Sequence, residues 1–70
     1  MKKVKINTEY ITLTQLLKNE SIIGSGGEAK YFLADYPVLV NNEEESRRGR
    51  KLYPSDVIIV LDDEFIIEWF

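Results

Sequence analysis

The 70-residue sequence has no cysteine and no histidine, and only two prolines and four glycines. Lacking cysteine, it has no disulfide, no thiol nucleophile and no thiolate metal site; lacking histidine, it has no imidazole acid–base group and no common zinc ligand. Metal binding is left to carboxylates alone. No apolar run approaches the ~18–20 residues that a membrane span needs. Met1-Lys2-Lys3 leads into a short alternating stretch, not a signal-peptide apolar core, so the expected location is cytoplasmic, with no membrane partner. The length allows one domain, residues 1–70. At this size folding buries about 60% of the unfolded chain's surface, which leaves little room for a deep catalytic pocket. What is present, 44% hydrophobic and 30% charged residues, is the composition of a folded domain.

The net charge of −3 is an average over unlike segments. Residues 1–42 are nearly balanced, and Glu43, Glu44 and Glu45 follow. Arg47, Arg48, Arg50 and Lys51 then place four positive charges in five residues, while Leu52–Phe70 holds five acids and no base. Potentials decay over a Debye length of about 8–10 Å, so a compact basic patch acts locally even on an acidic protein.

Lys2–Ile6 reads as a short edge strand whose lysines oppose stray pairing. Thr12 and Gln15 have capping-box spacing, and Leu13, Leu16 and Leu17 form one apolar stripe, which predicts a helix to about Asn19. Ile22 and Ile23 lie in a connector expected to plug the core before Gly24. Ser25 and Glu28 repeat the capping-box spacing, and Ala29, Phe32, Leu33 and Tyr36 continue at helical intervals. A second helix is predicted over about Gly26–Asp35, stopping before Pro37. Strands are predicted at Pro37–Val40, Glu43–Ser46, Val57–Leu61 and Glu64–Phe70, with turns at Asn41-Asn42, around Pro54 and at Asp62-Asp63. The fold class expected is α+β: two short helices on one face of a small, mostly antiparallel sheet.

Little here suggests catalysis. Asp62, Asp63 and Glu64 could meet a cation, but no glycine-spaced calcium loop surrounds them, and a charged turn is the plainer reading. Serines and threonines have no histidine to activate them, and Ser25-Gly26-Gly27 lacks a P-loop ending. No cofactor or catalytic residue is expected. Ser25-Gly26-Gly27 admits two readings: an N-cap with small residues packed on a neighbour, or a helix start open to a phosphate. The run Arg47-Arg48-Gly49-Arg50-Lys51 is either a solvated loop paired with the preceding glutamates or a phosphate-binding loop. Tyr31, Tyr36 and Tyr53 offer faces for bases, although Phe32 and Tyr36 at helical spacing suit a core.

Leu13-x-x-Leu16-Leu17, Ser25-x-x-Glu28-Ala29-x-x-x-Leu33, Val38-x-Val40-Asn41-Asn42 and Pro54-Ser55-Asp56-Val57, in this order, resemble the S4 RNA-binding domain, also called the αL motif. The resemblance covers about residues 11–60. It is nearest to the stand-alone bacterial YaaA type, which Ser25 to Lys30 and Arg47 to Pro54 match in detail. It implies binding to structured RNA, ribosomal RNA foremost, by a module without catalytic residues. The family's arginines stand here as Thr12 and Gly26, its Asn-Gly turn as Asn41-Asn42 and its Gly-Asp as Ser55-Asp56. The expected RNA contacts therefore shift to Arg47, Arg48, Arg50, Lys51, Lys30 and Lys18, with the backbone at Ser25, Gly26 and Gly27. A rival expectation is a protein-interaction module, or weak self-association, through the acidic C-terminal strand with Phe65, Trp69 and Phe70. A terminal Trp-Phe more often completes a core in so small a domain. DNA is a weaker third partner.

Overall fold

A computed structural model describes all 70 residues. In chain order the elements are β1 (Lys2–Ile6), β2 (Ile11–Thr12), α1 (Leu13–Asn19), a 3₁₀ turn (Gly26–Glu28), α2 (Ala29–Asp35), β3 (Val38–Val40), β4 (Glu43–Glu45), β5 (Lys51–Leu52), β6 (Val57–Val60) and β7 (Asp63–Trp69). Five strands form one sheet in the order β1-β7-β6-β3-β4, and β2 pairs with β5 in a separate ribbon. Every pairing is antiparallel except β1 with β7. The α+β architecture is the one expected, with β1 at an edge.

Strand alternation decides what is buried. Val4, Ile6, Val38, Val40, Ile58, Val60, Phe65 and Ile67 face the helices and meet Leu13, Leu16, Leu17, Ile23, Ala29 and Leu33 in a single core. Ile23 plugs that core as anticipated, with Ile22 packed against it. The capping box at Thr12 forms: the Gln15 N–H donates to Thr12 Oγ1 at 3.2 Å, and the Thr12 N–H donates to Gln15 Oε1 at 2.8 Å. At its other end α1 closes without glycine. Ser21, at φ 59°, lets the Ile22 N–H reach Leu17 O (2.9 Å) and its own N–H reach Lys18 O (3.0 Å), a Schellman closure.

The second capping box does not form. Ser25 makes no side-chain cap bond, Gly26–Glu28 winds as a 3₁₀ turn and α2 begins only at Ala29. Two glycines raise the conformational cost of a full first turn. Tyr36 also leaves its expected phase. The residue before a proline is driven out of the helical region, and Tyr36 sits at φ −127°, ψ 127°, exposed beside Phe32. Leu61 is not strand but turn. Pairing Ile58 with Phe65 keeps both in the core, which leaves Leu61-Asp62 to connect Val60 to its partner Asp63. Trp69 and Phe70, expected inside, are 60% and 88% exposed. Seven residues of helix extend about 10 Å and seven of strand about 23 Å, so α1 and α2 cannot cover the whole of β7. Phe65, by contrast, is buried.

The turns carry local strain. Asn41 and Asn42 adopt φ 52° and 70° in the two-residue hairpin turn, as their sequence allowed. Pro54 occupies the first central position of the Tyr53–Asp56 turn, and Ser55 the second at φ 82°, where glycine is the unstrained choice. Leu61 is held at φ 56° with no side-chain compensation. Ser55→Gly and Leu61→Gly should each stabilise the fold by about 1 kcal/mol, read as a Tm rise of roughly 4–8 °C. Calorimetry of the single and double variants checks both the sign and the additivity.

Candidate nucleic-acid interface

The basic run occupies the connection from β4 to β5. Its geometry is set by Glu45, the one buried charged residue, only 8% exposed. Glu45 lies opposite Val38 and so shares the core-facing phase of that strand pair. Its carboxylate accepts the Arg47 Nε–H at Oε2 (3.0 Å), the Arg47 Nη2–H at Oε1 (3.0 Å) and the Arg47 backbone N–H at Oε2 (3.0 Å). The Arg50 Nη1–H adds a bond to Oε1 at 2.8 Å. Two-pronged guanidinium–carboxylate pairing is strong and directional. The Arg47 side chain holds the Glu45 carboxyl down to about 2 from its ordinary 4.5, against the opposing push of burial, with the Arg47 N–H and Arg50 assisting. The Arg47 guanidinium is raised in turn by the same hydrogen bond. Of the three glutamates that could have paired with the loop, only Glu45 does so.

A second anchor ties the loop backbone to α1. The first N–H groups of a helix have no intrahelical partner. Here the Leu13 N–H donates to Arg50 O (2.8 Å), and the Thr14 N–H and Oγ1–H both donate to Arg48 O (3.1 and 2.8 Å). These loop carbonyls therefore point toward the helix, and Arg48 and Lys51 extend their exposed side chains outward. Arg48, Lys51 and Lys30 pair with no carboxylate. Gly49 has no positive φ, and nothing lies within 4 Å of where its Cβ would be. Curvature therefore makes no demand for glycine there. Its bareness instead opens the loop on both sides.

Two open grooves flank Gly49. One, of about 510 Å³, runs between α2 and the loop and is lined by Lys30 and Ala34 with Ser46, Arg47, Arg48 and Gly49. The other, also about 510 Å³, is lined by Arg47, Gly49, Arg50, Lys51 and Tyr53. The fold thus joins Lys30 to the loop from distant sequence. A Cβ on Gly26 would lie 3.8 Å from the Thr14 methyl, which sets the 3₁₀ turn beside the residue that anchors Arg48. Ser25 and Gly27 are exposed on that turn. Lys18 lies one helical turn beyond Thr14 on α1, exposed but lining neither groove. Asp63, from the carboxylate run, pairs with Lys2 at 3.7 Å.

Two participants escaped the sequence reading. Glu45 was detectable in principle, since the Asn41-Asn42 hairpin register places it opposite Val38. Tyr10 carried no such signal. Its ring centroid lies 5.7 Å from that of Tyr53, and Lys51 Nζ sits 4.9 Å over it.

A carboxylate whose folded pKa lies below its ordinary value stabilises the fold above that ordinary value. The contribution is lost as pH falls through the folded pKa. Glu45 should therefore stabilise fully above about 4.5 and progressively less down to about 2. Thermal melts across that range should show the loss in the wild type and a much flatter profile in Glu45→Gln. At neutral pH the same variant should be weakened by about 1–3 kcal/mol.

Comparison with known proteins agrees with this geometry. The S4 domain family profile matches residues 4–68. The chain is 56% identical over 55 residues to a protein of Bacillus subtilis (strain 168) described as "Probable ribosome maturation protein RlbA", covering 79% of this chain and 78% of that one. No solved structure matches. With a profile spanning β1 to β7 and a relative this similar, the chain belongs to the S4 domain family.

Proposed function

We propose that the protein is a non-catalytic module that grips structured RNA, ribosomal RNA in particular, through phosphate and shape contacts. The observation that carries this reading is the doubly anchored loop. Glu45 fixes two guanidiniums from below, and α1 draws the Arg48 and Arg50 carbonyls inward. Carbonyl oxygens turned outward would repel phosphate; turned inward, they leave a surface of N–H donors and cations. Arg47, Arg48, Arg50 and Lys51 with Lys30 form the centre of the contact, flanked by Ser25, Gly26 and Gly27 and, further out, by Lys18. A-form RNA hides its base edges in a deep, narrow groove, so dispersed basic contacts suit recognition by shape. The relative's description as a ribosome maturation protein favours ribosomal RNA or an assembling ribosome as the target. A family of binding domains and a chain without histidine or cysteine both favour a binder over an enzyme. A cytoplasmic setting follows from such a target, and no helix is long and apolar enough to cross a membrane.

The exposed Trp69 and Phe70 favour a second reading, in which the chain also docks on a protein or a second copy through this terminal pair. β7 itself lies between β1 and β6, so it has no free edge for strand addition. Sedimentation after nuclease treatment separates such association from RNA-bridged association.

Arg48→Ala with Lys51→Ala should weaken binding to duplex RNA and flatten the log-affinity against log-salt slope by about 1.5, at ~0.7–0.9 per phosphate contact. The melting temperature should stay put, since neither side chain pairs within the protein. Duplex DNA as competitor should be the poorer ligand. An unchanged slope would remove the loop from the interface. Gly26→Arg should act in the opposite direction. The site has ordinary space and no positive φ, so the added cation should fit, tighten RNA binding and steepen the slope by about 0.7–0.9.

A further inference from the structure

The β2–β5 ribbon has an outward face that phosphate binding alone does not use. Pairing Ile11 with Leu52 and Thr12 with Lys51 buries Ile11 and Leu52 and turns Thr12 and Lys51 to the other side. Alternation places Tyr10 and Tyr53 on that same outward side, and their rings meet at 5.7 Å with a tilt of 51°. Lys51 Nζ lies over Tyr10 at 4.9 Å, while no cation covers Tyr53, which is 40% exposed. Tyr53 also borders the groove that holds Arg47, Gly49, Arg50 and Lys51. An accessible aromatic face next to several cations is the combination that holds an unstacked nucleotide, base on ring and phosphate on cation.

Tyr53 is unusually fixed for an exposed residue. Its N–H donates to Asp56 Oδ2 (2.8 Å), and its carbonyl accepts the Asp56 N–H (2.9 Å). Asp56 is itself held by the Asn41 side-chain amide at 3.0 Å. A ring already immobilised by its turn loses little freedom when a base stacks on it. Tyr31 is more exposed, but it borders neither groove and its one cation, Lys30, is 6.0 Å away. The groove's volume of about 510 Å³ is within the range of small-ligand sites and suits one nucleotide.

We propose that Tyr53, backed by Tyr10, is a stacking platform for a single unpaired nucleotide of the bound RNA, with Arg50 and Lys51 holding its phosphate. This rests on the RNA-binding reading and sharpens it: the preferred target is a helix interrupted by a bulge or a loop junction, not an uninterrupted duplex. Base faces inside a duplex are already stacked, so only an unpaired nucleotide can use the ring.

The test compares two short RNA hairpins, alike except that one carries a single bulged 2-aminopurine. Wild-type protein should bind the bulged hairpin about fivefold or more tightly than the paired one and quench its fluorescence. Tyr53→Leu, which keeps apolar bulk without a π face, should abolish both the preference and the quenching. Its affinity for the paired hairpin and its salt slope should stay unchanged, which also shows that the variant is folded. Tyr53→Trp should keep the preference. Equal binding of the two hairpins by wild-type protein overturns the platform and leaves RNA binding intact, as does a bulge preference that survives in Tyr53→Leu. Binding of neither hairpin overturns RNA binding and the platform together.

Discussion

A buried carboxylate organises the basic side of this molecule. Glu45 would be an expensive residue to place at 8% exposure if it were unpaired. Four donors from Arg47 and Arg50 satisfy it, and no buried polar side-chain atom in the protein lacks a partner. That pairing curls residues 46–50 back over the start of α1. Once there, the loop supplies carbonyls to the two leading N–H groups of the helix, and β5 comes into register against β2. Helix start, ribbon and loop are thus mutually dependent, although each is only a few residues long.

This arrangement also explains how an acidic chain presents a basic face. Glu45 cancels one charge of the loop, but it does so from the inside, on the sides of Arg47 and Arg50 turned away from solvent. The cations that reach outward are Arg48, Lys51 and Lys30, joined from two separate parts of the chain. The acids of the last segment lie elsewhere: Asp63 and Glu64 begin β7, and Asp63 is tied to Lys2. A net charge of −3 is therefore compatible with a local potential of the opposite sign, because screening over about 8–10 Å separates the two regions.

Features governed by local chemistry were legible in the sequence. Thr12 and Gln15 announced the start of α1, Pro37 the end of α2, and Asn41-Asn42 a hairpin with positive φ. What failed depended on partners distant in the chain. Leu61 looks like strand until Ile58 must face Phe65, and Trp69 looks like core until the lengths of strand and helix are compared. The β2–β5 ribbon has two residues per strand, too few for any alternation to show. For the candidate site, the basic run and Lys30 could be named in advance. The roles of Glu45 and Tyr10 come only from register and from a pairing without sequence signature.

The pairing of β1 with β7 has a kinetic consequence. Residues 2–6 find their partners at 65–69, the largest sequence separation the chain offers, whereas α1 and the loop that caps it are joined across a much shorter stretch. Closing the longer loop costs more entropy, and non-local pairing slows folding. The half of the domain that bears the grooves can therefore assemble around α1 and the β3–β4 hairpin while the N-terminal strand is still searching. Docking of that strand on the last strand is then the closing event, and fraying would begin at the same edge.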